Sequence, residues 1–223
     1  MQKFIIVAMD GPAASGKSTL AKDLADKLGY LLVDTGAMYR AITYYALENN
    51  IVDNEEKLLA KLGELKLELE YKNKLTRVFL NGAEITEEIR TPAVNAKVSD
   101  ISKIKEVRTE MVKLQREMAN NKNLVVEGRD TTTVVFPNAD LKIFLIADVK
   151  ERARRRYLEY QAKGENVTLE EVEASIKNRD TIDSTRSVSP LKKAEDAIEI
   201  DTTNMTIEEE VNKIAARVNS IKK

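Results

Sequence analysis

Gly11-Pro12-Ala13-Ala14-Ser15-Gly16-Lys17-Ser18 fits the phosphate-cradling pattern G-x-x-x-x-G-K-[ST], and its flanks are those the pattern needs. Before it, Phe4-Ile5-Ile6-Val7-Ala8-Met9 is short, apolar and rich in β-branched residues, which reads as a buried strand. After it, Thr19 to Leu28 carries leucines at 20, 24 and 28 and closes at Gly29, an amphipathic helix with a glycine C-cap. Strand, glycine loop and helix N-terminus together offer backbone N–H groups and a partial positive charge to an anion. On this reading the stretch Gly11 to Thr19 holds a nucleoside triphosphate. Lys17 reaches the β- and γ-phosphates, and the Ser18 hydroxyl is offered to Mg²⁺.

Composition removes several alternatives. The 223 residues contain neither cysteine nor histidine, so thiolate nucleophiles, serine-hydrolase triads and histidine or cysteine metal sites are excluded. Phosphoryl transfer depends mainly on positioning and positive charge and loses nothing by their absence. A net charge of −1 argues against general nucleic-acid binding. The N-terminal apolar run is too short for a membrane span and lacks a basic leader, so the expectation is a cytoplasmic protein with no membrane partner. No apolar stripe exceeds what a core needs, which makes a monomer the default.

Apolar runs recur at Tyr30–Val33, Leu124–Val126, Leu141–Ile146 and Ala197–Ile200. Helical patterns near Ala37, Ile104–Asn120, Lys150–Lys163, Leu169–Asp183 and Ile207–Ile221 alternate with them. The expectation is an α/β fold with a five-stranded parallel sheet flanked by helices. One stretch breaks the rhythm. Leu65 to Tyr71 alternates at period two, Lys72-Asn73-Lys74 reads as a turn, Leu75–Leu80 as a second strand, and Asn81-Gly82 as a tight hairpin turn into Ala83-Glu84-Ile85. This makes a small antiparallel three-stranded insert, residues 62–103, between core segments 1–61 and 104–223.

The arginines suggest what receives the phosphate. Arg40 follows the second strand and Arg129 follows the third, both on the strand-end edge where doubly wound sheets bind ligands. Two guanidinium forks converging there suit a second phosphate. Arg152, Arg155 and Arg156 share one helical face, which would repel itself unless anions meet it; that suits a lid, residues 150–186, closing over polyphosphate. Arg179, Asp183 and Arg186 lie near one face if helical; spacing alone leaves a surface ion-pair ladder equally open.

These residues closely resemble the bacterial cytidylate kinase family, nucleoside-monophosphate kinases with a phosphate-loop core, essentially end to end. The motifs that carry the resemblance are Asp10 through Ser18, Asp34-Thr35-Gly36-Ala37-Met38-Tyr39-Arg40, Glu127-Gly128-Arg129-Asp130 with Thr133-Val134-Val135-Phe136-Pro137, Glu151 through Arg156, and Arg179-Asp180 through Ser189-Pro190-Leu191. The resemblance implies Mg²⁺- and ATP-dependent phosphorylation of CMP and dCMP, with the insert as the monophosphate-binding subdomain. It implies cytosine contacts at Ser99, Arg108 and Asp130, ribose contacts at Asp183 with Arg179, and acceptor-phosphate contacts at Thr35, Arg40, Arg129 and Arg186. Charge stabilisation during transfer falls to Lys17, Arg129, Arg152, Arg156 and Arg186.

Two positions depart from the family pattern. Thr131-Thr132 stand where Ile or Met followed by Gly is usual, so a left-handed backbone there would strain a β-branched threonine or reshape the turn. Glu127 stands where Asp is commoner, within reach of magnesium-bound water. Other readings of the loop are a broader UMP/CMP or other small-molecule kinase, a chaperone-like ATPase, and a GTP-dependent switch. The switch would want an Asn-Lys-x-Asp base reader, and the nearest string, Asn73-Lys74-Leu75-Thr76, ends in Thr.

Overall fold

The computed structural model describes residues 4–72 and 75–221. The first strand, β1 (Ile6–Asp10), runs through the glycine loop into α1 (Lys17–Leu28), and β2 (Leu31–Asp34) runs directly into α2 (Thr35–Glu48). Three further strands complete a parallel sheet: β6 (Leu124–Gly128), β7 (Leu141–Ile146) and β8 (Ile198–Asp201), in the order β2-β6-β1-β7-β8. The register sets Met9, Asp34 and Glu127 side by side, so the chain leaves three adjacent strands at one level. The cleft opens along that edge, lined there by Asp34, Glu127 and Gly128.

Alternation along the buried strands divides the core in two. Val7 and Met9 of β1 face one side with Leu20 and Leu24 of α1 and with Val211, Ile214 and Val218 of α8 (Ile207–Ile221). Ala8 faces the other side with Val33, Val126, α2 residues Met38 and Ile42, and Met111 of α5 (Lys105–Met118). Among the described residues no helix is long and apolar enough to cross a membrane.

The antiparallel sheet expected between the parallel strands is present: β3 (Leu67–Lys72), β4 (Leu75–Leu80) and β5 (Ala83–Glu84). Asn81 and Gly82 both take positive φ, 52° and 83°, as a two-residue hairpin turn requires. Asn73 and Lys74 of the other turn lie outside the described residues. The insert also holds more helix than its strand signals suggest: α4 (Pro92–Ser102) lies within it, and α3 (Glu55–Leu62) leads into it. Leu67, Val78, Leu80, Ile89 and Val98 join the same apolar cluster as Val33, Met38 and Val126, so the insert shares its core with one face of the parallel sheet. Tyr71 adds a polar tie, its hydroxyl donating to the Lys22 carbonyl at 3.1 Å. The remaining helices, α6 (Val149–Ala162) and α7 (Leu169–Thr185), pack on each other through a small cluster of their own, Ala153, Val172 and Ile176.

Candidate active site

The phosphate loop is shaped by close backbone approach. Gly11 passes so near β7 that a Cβ there would lie 2.2 Å from the Leu145 carbonyl oxygen. Gly16 caps α1 with no side chain, so the first amides of the helix stay open to an anion. Lys17, buried at the first position of α1, folds back to donate to the Pro12 carbonyl at 2.6 Å and the Ser15 hydroxyl at 3.2 Å. Burial, reinforced by Arg129, drives its pKa well below the usual lysine value, with Glu127 and Asp10 opposing. Among the described residues no carboxylate forms an ion pair with it, and an incoming polyphosphate would favour its charged form.

The loop is held from outside by three side chains, Asp180, Arg152 and Thr202. Asp180 accepts from the Ala13 amide at 3.2 Å, and Arg152 donates to the Ala13 carbonyl at 3.0 Å and to Asp180 at 2.6 Å. Arg152 also donates to the Ala147 carbonyl at 3.0 Å and does not line the cleft. The arginine face of α6 is therefore not self-repelling: Arg152 pairs with Asp180, Arg155 with Glu151 and Arg156 with Glu159. Arg155 and Arg156 do line the cleft. Arg155 donates to the Thr202 hydroxyl and carbonyl at 3.2 and 2.7 Å, and that hydroxyl donates to the Ser15 carbonyl of the loop at 3.1 Å.

From the loop a cleft of about 1040 Å³ extends along the strand ends towards the insert. Asp34 caps α2, accepting from the Ala37 amide at 2.8 Å, and pairs with Arg40 at 2.9 Å. Burial alone would raise the Asp34 pKa; Arg40 and Arg90 outweigh it and hold the carboxyl low. Thr35 donates to the Glu127 carbonyl at 2.7 Å, and burial, with Asp34 nearby, raises the Glu127 carboxyl. Arg129 pairs with Asp183 at 2.9 Å. Arg186 lies 3.6 Å from Asp183 and 4.0 Å from Asp130. Burial opposes ionisation of Asp183, but Arg129, Arg179 and Arg186 outweigh it and keep its pKa depressed.

At the far end Arg108, only 2% exposed, pairs with Asp130, donates to the Ser102 carbonyl at 3.0 Å and lies 5.2 Å over the Tyr39 ring. Arg179 has no carboxylate partner among the described residues, and its buried Nε makes no hydrogen bond. Burial and the neighbouring Arg129 push its pKa down to about 9, which marks a strong need for a counter-anion.

The cleft thus gathers residues 14–19 of the loop with Thr35, Arg40, Arg108, Arg129, Asp130, Arg156, Arg179, Asp183 and Arg186. Ser99 is buried beside it and does not line it; Val98 and Ser102 do. The strain anticipated at Thr131-Thr132 is absent. Neither residue has positive φ, and both lie in a single π-helical turn, Thr131–Val135. The sequence assigned no site role to Arg90 or to the residues leading into α8, Thr203, Met205, Thr206 and Ile207, all of which line the cleft. Arg90 carried no local signal, being a lone arginine after Glu88-Ile89.

The cytidylate kinase family profile matches residues 7–220. The chain belongs to the cytidylate kinase family. A cytidylate kinase from Bacillus cytotoxicus is 52% identical over 98% of this chain and 97% of its own length. One from Bacillus cereus is 50% identical over 99% of both. Among solved structures, a protein from Thermus thermophilus superposes with a TM-score of 0.50 at 18% identity, covering 98% of each chain, and an uncharacterized Eubacterium ventriosum protein with 0.52 at 14%, covering 98% of this chain and 99% of its own. Those two likenesses concern the fold alone.

Proposed function

We propose that the chain transfers the γ-phosphoryl group of ATP to CMP and dCMP, giving ADP with CDP or dCDP. The observation that carries this reading is the cleft's polarity: an uncapped helix N-terminus with Lys17 at one end, and the buried Arg108–Asp130 pair at the other. Cytosine presents an N4 amino donor beside the N3 and O2 acceptors, so a carboxylate and a guanidinium can read its edge together. Uracil would set a carbonyl against the carboxylate and leave buried groups unpaired, the kind of mismatch a hydrogen-bonding site rejects strongly. Identity near 50% to proteins named cytidylate kinase supports the same substrate.

In this reading the acceptor phosphate is held by Arg40, Arg90, Arg129 and Arg186, with Thr35 beside them and Arg179 and Asp183 on the ribose side. Its oxygen attacks the γ-phosphorus as the bond to the β,γ-bridging oxygen breaks. No protein base is required, because a monophosphate is already an anionic nucleophile at neutral pH. Lys17 and the α6 arginines Arg155 and Arg156 counter the charge that develops on the transferring group; Arg152 serves that end by fixing Ala13 and Asp180. The described residues contain no cluster of three carboxylates that could hold a metal unaided, which fits Mg²⁺ arriving on ATP and keeping water and phosphate as most of its ligands. Ser18, with the Glu127 carboxyl beside it, would hold that ion, which supplies charge neutralisation between the phosphates. Residues 62–103 would serve as the monophosphate-binding subdomain and residues 150–186 as the lid.

A coupled assay of ADP release with CMP, dCMP, UMP, AMP and shikimate tests the proposal. CMP and dCMP are expected to have the highest kcat/KM; a better acceptor among the other three overturns it.

A further inference from the structure

Asp10 is the last residue of β1, immediately before Gly11, and is completely buried. It has no cation in hydrogen-bond contact among the described residues; its carboxylate is met instead by four donors from one dipeptide. Oδ1 accepts from the Thr131 amide and hydroxyl, both at 2.8 Å, and Oδ2 from the Thr132 amide at 2.7 Å and hydroxyl at 2.6 Å. The Thr131 hydroxyl also lies 3.2 Å from the Met9 carbonyl. The arrangement follows from the local backbone. The Asp130 carbonyl accepts from Val134 and Val135 at 2.8 and 3.1 Å, which closes the π-helical turn and leaves its first two amides without a partner in the turn. Asp10 takes both, and the two hydroxyls add a second pair of bonds along the same direction.

The two ends of this clamp belong to different halves of the cleft. One residue after Asp10 begins the loop that would hold the donor phosphates; immediately before Thr131 stand Arg129 and Asp130, which pair with Asp183 and Arg108. We propose that Thr131 and Thr132 are positioning residues which, through Asp10, fix the phosphate loop against the Arg129–Asp130 segment and so set the alignment of donor and acceptor phosphates. The proposal rests on the kinase reading above. It differs from a purely structural role in one respect: each half-site keeps its own contacts when the clamp loosens, and only their mutual placement changes.

Placement is read by a tethered ligand. The probe is a cytidine and an adenosine joined 5′ to 5′ by five phosphates, whose fixed linker spans both half-sites. With Thr132→Val, which removes the hydroxyl and keeps the shape, affinity for this bisubstrate is expected to fall about tenfold or more, and kcat with it, while the separate affinities for ATP and CMP stay within about threefold. Thr132→Ser, which keeps the hydroxyl, is expected to restore both to within about twofold of the unaltered chain. If bisubstrate affinity is unchanged in the valine variant, or the serine variant is as impaired, the proposal is overturned. Should Thr132→Val fail to fold, Thr131→Val is measured in the same way; if that also fails, the bonds hold the fold together and the alignment role is overturned. If the unaltered chain binds neither CMP nor the bisubstrate, the kinase reading itself has failed.

Discussion

Arg90 has no carboxylate of its own among the described residues, which sets it apart from Arg40, Arg108, Arg129 and Arg186. It lines the cleft from the insert side, and its charge depresses both the Asp34 carboxyl and, after burial, the Arg40 guanidinium. An uncommitted guanidinium beside an acceptor phosphate gains a charge-assisted bond without breaking an internal one, so Arg90→Ala is expected to raise the KM for CMP about tenfold or more. The KM for ATP should stay within about twofold; steady-state kinetics with each substrate varied in turn decides it. Lys17→Ala acts at the other end, where the loss of transition-state charge stabilisation is expected to lower kcat by roughly 10²–10³-fold. Near-normal turnover would remove Lys17 from the role given to it. At this scale the loop was legible because its chemistry is local: two glycines, a lysine and a serine at fixed spacing. Which arginines carry internal partners was not. Arg152 and Arg155 look alike in the run Glu151 to Arg156, yet Asp180, 28 residues on from Arg152, takes that side chain out of the cleft.

Among the elements, the strands expected from the sequence are all present, and the miss is a helix whose apolar pattern is short. The helix α4 begins with Pro92 at its first turn under a Thr91 cap, a good start signal, but its short apolar pattern was absorbed into the neighbouring hairpin. In α8 the acidic first turn, Glu208 to Glu210, suits the helix dipole and reads as solvated. Spacing says otherwise for one of the three. Glu210 lies three residues after Ile207 and four before Ile214, on the apolar face, and is fully buried with neither carboxyl oxygen hydrogen-bonded. Burial pushes its pKa up to about 7, with Arg155 opposing. A carboxyl raised on folding favours the folded state while protonated; that contribution is whole below the ordinary value of 4.5 and is lost as pH rises through about 7. Glu210→Gln keeps the shape and cannot ionise. It is expected to be near neutral at pH 5 and to stabilise by about 1–2 kcal/mol at pH 8, after discounting for partial screening. Urea unfolding of both proteins at the two pH values checks this, and equal differences at both would show that ionisation of Glu210 is not what is being relieved.

For the whole molecule, an inserted hairpin between core segments suggests a unit that could open or melt by itself, and sequence offers no way to tell. Packing argues for one cooperative body instead. Val78 of β4 has no exposed surface and shares a cluster with Val33 and Val126 of the parallel sheet and Met38 of α2, the helix that carries Arg40. A cavity at Val78 should therefore weaken both sheets together. Val78→Ala removes two methyl groups from that cluster, an expected loss of about 2–3 kcal/mol from transfer plus residual cavity. In a chain of this size each kcal/mol moves the midpoint by roughly 2–4 °C, so Tm should fall by roughly 4–12 °C in a single transition. Calorimetry with and without CMP and an ATP analogue separates the alternatives. If the insert and core melt as one, the variant keeps one transition and each ligand raises its midpoint. A small early transition, raised by CMP alone while the main one keeps its position and its response to the ATP analogue, would instead make residues 62–103 an independently melting subdomain whose shared apolar contacts contribute little to the core.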